Sequence, residues 1–125
     1  MGLDLDTGKI IAIKQVKILN YIDKDFVDVR LNSLKSEIEL LRSFEHPNIV
    51  KYLGNESAGE FLNVFLEFVS GGSINSLLDL YKKFDEKLVR IYTLHILRGL
   101  DYLHAHNVIH GDIKGSNVLV DDQGV

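Results

Sequence analysis

The spacing of the apolar residues switches repeatedly between the period of a strand and that of a helix, and this limits the chain's possible folds more than any other feature. In KIIAIKQV, residues 9–16, Ile11 and Ile13 fall on one side of a strand and Ala12, Lys14 and Val16 on the other. Between Lys24 and Ser43, Val27, Leu31, Leu34, Ile38 and Leu41 recur at steps of four and three, which makes one apolar stripe on an amphipathic helix. Pro47 ends that helix, and NIVKYLG and GEFLNVFLEFV return to strand character, joined around Asn55 to Gly59. The turn DTG at residues 6–8 places a preceding hairpin strand within residues 1–5.

SGGS, residues 70–73, holds the only glycine pair and marks a boundary, so residues 1–69 and 70–125 read as two structural parts. Beyond it Ser73 caps a short helix carrying Ile74, Leu77, Leu78 and Tyr81. A longer helix over Glu86 to Ala105 follows, with Val89, Tyr92, Ile96, Leu100 and Leu103 as its stripe. Asn107 suits a left-handed exit, Val108 and Ile109 a brief buried segment, and NVLV at 117–120 a short strand, with Val125 starting a returning one.

With 125 residues, 46% of them hydrophobic and 26% charged, the chain is the size of one modest domain and is neither disordered nor collagenous nor a coiled coil. A net charge of -4 provides no basic field to gather nucleic acid or anionic lipid, so neither is expected as a partner. The absence of cysteine excludes disulfides and thiolate metal sites and fits a cytoplasmic protein. No apolar run approaches the roughly 20 residues that span a bilayer. The acidic MGLDLDTGK is no signal peptide, and Asp6 stands where myristoylation wants Ser or Thr.

Lys14 sits in an otherwise apolar strand, and an unpaired buried ammonium costs several kcal/mol, so its charge seeks an anion or solvent. Glu37 and Glu39 flank Ile38 on the helix, and periodicity does not choose between them as its partner. A lysine at a sheet rim and two glutamates on a polar helix face would account for all three without chemistry. HGDIKGSN, residues 110–117, places Asp112, Lys114 and Asn117 on a loop between packed elements. Phosphoryl transfer needs a carboxylate near the incoming hydroxyl, a cation on the transferred group and a hard oxygen ligand for Mg²⁺, which these three side chains supply. A polar turn with a capping Asp is the plainer alternative.

The strand IAIK, EIELLRSFEHPNIVKYLG, FLEFVSGGSINSLL and GLDYLHAHNVIHGDIKGSNVLV resemble, in order, successive parts of the protein kinase family, over nearly all of the chain. The Lys two residues after the Asp is similar to serine/threonine kinases, and FLEFVSGGSI with DIKGSN is most similar to mitogen-activated protein kinase kinase kinases. The resemblance implies an α+β, protein-kinase-like fold, incomplete: residues 1–69 would be most of the β-rich small lobe and residues 70–125 the start of the helical large lobe. It implies ATP and Mg²⁺ as cofactors and a protein substrate, such as a downstream kinase. It selects Glu37, nine residues before His46, as the partner of Lys14, which would contact the α and β phosphates. By the same match Asp112 would be the catalytic base, Lys114 would steady the γ-phosphate and Asn117 would hold a Mg²⁺. Leu66 would stand at the back of the adenine pocket, the backbone of Glu67 and Val69 would bond the adenine edge, and Ala12 and Leu119 would sandwich the ring. His110 would be structural, and Ser73 would contact the ribose or serve only as a cap.

Three parts of the family pattern are missing. No glycine-rich phosphate loop lies within the 13 residues before Lys14, no D-F-G occurs before Val125, and the activation loop and later helices do not appear. The expectation is a truncated kinase domain, inactive alone, whose helix 86–105 exposes an apolar patch that promotes association. Gly111 replaces the arginine that in many kinases pairs with a phosphate on the activation loop. A pseudokinase-like interaction module is the alternative function, and a metal site of His104, His106 and His110 a weaker one.

Overall fold

Asp4 organises the start of the chain. Its carboxylate accepts hydrogen bonds from the Asp6 amide at 3.0 Å and the Thr7 hydroxyl at 2.6 Å. The strand β1 (Gly2–Leu3) thereby turns back onto β2 (Ile10–Lys17), as the DTG turn predicts. In this computed structural model the residues described are 1–17 and 24–125, with side chains for all of these except 24–31 and 34. Val27, Leu31 and Leu34 of the predicted stripe therefore lie outside the described side chains.

Contacts divide the chain into two units, Met1–Glu45 with Val50–Phe68 and His46–Ile49 with Val69–Val125. The first contains a four-stranded antiparallel sheet in the order β1-β2-β4-β3, where β3 is Tyr52–Ala58 and β4 is Phe61–Glu67. Ala12, Lys14 and Val16 stand opposite Leu66, Val64 and Leu62, so these six side chains share one face. Helix α1 (Lys24–Ser43) contributes Ile38 to a core with Tyr52 and Leu62, and Val16, Val64 and Leu66 pack around it. Leu41, predicted to point inward, is instead exposed, and Phe44 just past the helix is buried.

The loop expected at Asn55–Gly59 is also placed differently. β3 continues through Ala58, which pairs with Phe61, and the turn is only Gly59–Glu60. Gly59 has φ 59°, the left-handed backbone that a tight hairpin turn requires, and this lets the ladder run up to the turn.

In the second unit, α2 (Ile74–Tyr81) and α3 (Glu86–Ala105) begin where their caps predict. Ser73 Oγ accepts from the Ser76 amide at 3.1 Å and Asp85 Oδ1 from the Leu88 amide at 2.8 Å. Gly99 and Leu103 are buried on α3, with Leu88, Tyr92, Ile96 and Leu100 half-buried around them. Leu88 rather than Val89 thus starts the inward stripe, and Val89 and Leu97 are 47% and 56% exposed. A β-carbon on Gly99 would stand 2.9 Å from the Asn48 carbonyl oxygen, so α3 meets the His46–Ile49 backbone directly. The Tyr102 ring lies between His46 and His106, with centroids at 4.8 and 4.3 Å.

Asn107 leaves α3 with φ 60°, as predicted. Ile109 is 84% exposed rather than buried, because no strand forms at 108–114 to bring it against a partner. NVLV makes a single bridge, Leu119 to Ser73, rather than a strand, although its Val120 is buried. Val125 closes a turn on Asp121, whose carboxylate accepts the Gln123 and Val125 amides at 2.9 Å each. Among the described residues no helix is long and apolar enough to cross a membrane.

Candidate active site

Lys14 stands in β2 on the face that carries the Ile38 core, and at this position its side chain is exposed. Glu37 and Glu39 are both exposed on α1. Glu39 is engaged with Arg42 at 3.2 Å, whereas neither Lys14 nor Glu37 takes part in an ion pair among the described residues. Among the described residues Glu39 is thus paired and Glu37 is not, and Lys14 is joined to neither.

In the second unit the three polar residues of HGDIKGSN come together. Asn117 Nδ2 donates to the Asp112 carbonyl at 2.9 Å and to Asp112 Oδ2 at 3.1 Å, and Lys114 Nζ approaches the same Oδ2 at 3.4 Å. The loop folds this way because Gly111, at φ 76°, reverses the backbone between His110 and Asp112, and because the Asn117 amide closes a turn on the Lys114 carbonyl at 2.9 Å. His110 Nδ1 accepts the Asp112 amide at 3.1 Å, a bond that holds the loop backbone. With two donors on Oδ2, the Asp112 carboxylate keeps Oδ1 for another partner. A lysine and a carboxylate this close and this exposed are weakly coupled, and an anionic ligand draws the ammonium away at small cost.

Asn117 is also the residue that fits a metal. Mg²⁺ takes oxygen ligands, and with its nitrogen turned to Asp112 the side chain presents Oδ1 to a cation. Among the described residues no three His, Asp or Glu side chains gather as a metal-holding group, and His106 Nδ1 lies 2.8 Å from the Tyr102 carbonyl.

The residues expected around an adenine are placed as follows. Ala12 and Leu66 are half-buried and directly opposite one another in the sheet. The Glu67 amide donates to the Lys51 carbonyl at 2.9 Å and its Oε1 accepts the Lys51 amide at 2.7 Å, so the amide is already engaged. Val69 is half-buried, and Leu119 forms the bridge with Ser73. The sequence reading missed the support behind the loop: the first turn of α2 bonds its carbonyls. The glycines at 71 and 115 were the available signal: a β-carbon on Gly71 would overlap the Val120 carbonyl oxygen, and one on Gly115 the Asn75 side chain.

The whole chain, residues 1–125, matches the family described as protein kinase domain. Mitogen-activated protein kinase kinase kinase 2 of Arabidopsis thaliana is 50% identical across 99% of this chain and 19% of its own length. Mitogen-activated protein kinase kinase kinase A of Dictyostelium discoideum is 45% identical across 100% of this chain and 13% of its own. The chain therefore spans about a fifth or less of the length of these curated relatives. Among solved structures, Rad53 1-466 in complex with AMP-PNP superimposes with a TM-score of 0.82 at 26% identity, covering 96% of this chain and 30% of that one.

Proposed function

The chain belongs to the protein kinase family, and from that premise we propose that it serves an ATP-dependent serine/threonine kinase of the mitogen-activated protein kinase kinase kinase type, acting on a downstream kinase. The observation that carries this reading is the convergence of Lys114 and Asn117 on one oxygen of Asp112.

Asp112 Oδ1, which has no donor among the described residues, receives the proton of the substrate hydroxyl as the hydroxyl oxygen attacks the γ-phosphorus of ATP. The bond from phosphorus to the β,γ-bridging oxygen breaks, and ADP leaves. Lys114 moves from the carboxylate to the transferred group, where negative charge is spread over three oxygens. Asn117 Oδ1 would hold Mg²⁺, which when bound neutralises phosphate charge. Lys14 contacts the α and β phosphates with Glu37 as its partner, a role supported by Glu39 being taken by Arg42. In the first unit Ala12, Leu66 and the Glu67 carbonyl, and in the second Val69 and Leu119, are the residues that the family resemblance assigns to the adenine. The reading makes the cytoplasm the compartment in which this kinase would act.

Calorimetry with Mg-ATP on the full-length protein, together with transfer of labelled γ-phosphate to a catalytically inactive mitogen-activated protein kinase kinase, tests the proposal. Lys14→Met should weaken nucleotide binding, and Asp112→Ala should abolish transfer while leaving binding. Binding of Mg-ATP by the wild type without any transfer would instead make the protein an interaction module.

A further inference from the structure

Asp112, Lys114 and Asn117 are all exposed, so burial of their side chains does not set their geometry. Bonds within the loop do, and backbone bonds from outside it add to them. The first three amides of α2 have no helical carbonyl to bond, and each has found another partner. Ser76 uses the Ser73 cap, while the Ile74 amide donates to the Val118 carbonyl at 2.9 Å and the Asn75 amide to the Gly115 carbonyl at 3.2 Å. Gly115 and Val118 bracket Asn117, the residue that holds Asp112. One step further, the Val120 amide donates to the Gly72 carbonyl at 2.9 Å, and Ser73 bridges Leu119. Gly71 lies so close to this segment that a β-carbon there would overlap the Val120 carbonyl oxygen, a backbone atom with no rotamer to escape by.

We propose that Gly71–Asn75, the glycine pair and first turn of α2, is a positioning element that sets the loop of Asp112 and Asn117, with Gly71 and Ile74 as its positioning residues. This rests on the reading of Asp112 as the base and Asn117 as the metal ligand. The bare α-carbon of Gly71 lets the two backbones lie side by side, and the helix start then bonds the carbonyls on either side of Asn117. Misplacing a catalytic group by about 1 Å costs on the order of 100-fold in rate, so a loop this exposed depends on such support.

Two variants open the element from opposite ends. Gly71→Ala pushes Val120 away. Of the backbone bonds, Ile74→Pro deletes only the one to Val118, because proline suits the first position of a helix and Ser73 already has the extended ψ of 159° preferred before proline. Gly54→Ala serves as a control, since its β-carbon would meet only Phe65, at an ordinary 3.7 Å. In the full-length protein both variants should raise amide hydrogen exchange at Asn117 and Val120 about tenfold. They should lower kcat about 10- to 100-fold while changing KM for ATP less than about twofold. The control should change neither. Unchanged exchange at both amides in Ile74→Pro would overturn the proposal, even if Gly71→Ala fails to fold. A raised KM with kcat intact would overturn it too, because Gly71 would then act through the adenine-binding residues. A wild type that transfers no phosphate removes the kinase reading, and the exchange measurement still decides whether the element holds the loop.

Discussion

The side-chain nitrogen of Asn117 donates to both the carbonyl oxygen of Asp112, at 2.9 Å, and its Oδ2, at 3.1 Å, so one amide fixes the backbone and the carboxylate of the residue that would accept the proton. The two residues therefore differ in what their loss removes. Asp112→Asn takes away the proton acceptor, and kcat should fall on the order of 100- to 10,000-fold with the affinity for Mg-ATP retained. Asn117→Ala would take away the proposed metal ligand and free the carboxylate, so the Mg²⁺ concentration giving half-maximal rate should rise as kcat falls. Steady-state kinetics over a Mg²⁺ series separates the two. An Asn117→Ala enzyme with an unchanged Mg²⁺ requirement would remove the metal role.

The reach of the sequence can be judged from single residues. Ser73 and Asp85 mark both helix starts in the second unit because capping is local: an oxygen bonds an amide three residues on, and nothing distant intervenes. The Asp112, Lys114 and Asn117 group was legible for a similar reason, since its members lie within one short loop. The partner of Lys14 was not legible from periodicity, because Glu37 and Glu39 flank Ile38 on either side, and among the described residues Lys14 pairs with neither. Ile109 and the 117–120 segment were misjudged because apolar residues in a row suggest burial or pairing, yet only tertiary packing supplies the partner. Here it reached Val120 and the single bridge at Leu119, and left Ile109 in solvent.

Gly111 adopts φ 76°, and among the described residues beyond its chain neighbours no heavy atom lies within 4 Å of where its β-carbon would be. Gly111→Arg is thus free of steric overlap but strained in its backbone, by about 1–2 kcal/mol. The new guanidinium would be able to pair with a phosphorylated activation loop, a contact glycine cannot make. The variant should melt several degrees lower, and its phosphate transfer should become sensitive to phosphatase treatment where that of the wild type is not. Equal sensitivity in both proteins would show that the glycine does not set the route of activation.

Leu62 is 5% exposed and forms the core of the first unit with Ile38 and Tyr52. Leu62→Ala should cost about 2–5 kcal/mol, read as a lower denaturant midpoint for the first unit. Signals from the His46, Tyr102 and His106 rings, which stack within the second unit, report whether the damage stays local. A midpoint shift worth less than about 1 kcal/mol would mean that Ile38 and Tyr52 close the cavity.

Asp4 carries a pH dependence whose sign follows from its partners. The Thr7 hydroxyl first, and the Asp6 amide second, bond its charged form and hold the carboxyl below its ordinary value. Because the folded value is the lower one, the turn between β1 and β2 gains from Asp4 above the ordinary aspartate value of about 3.9. That gain is lost as pH falls through the folded value. Asp4→Asn should therefore open the turn at neutral pH, seen as faster exchange of the Gly8 amide, which donates to the Asp4 carbonyl at 2.7 Å. The difference between variant and wild type should shrink as the solution is acidified. An NMR titration of the Asp4 carboxyl carbon that gives the same midpoint in the folded protein and in a peptide of residues 1–9 would rule this linkage out.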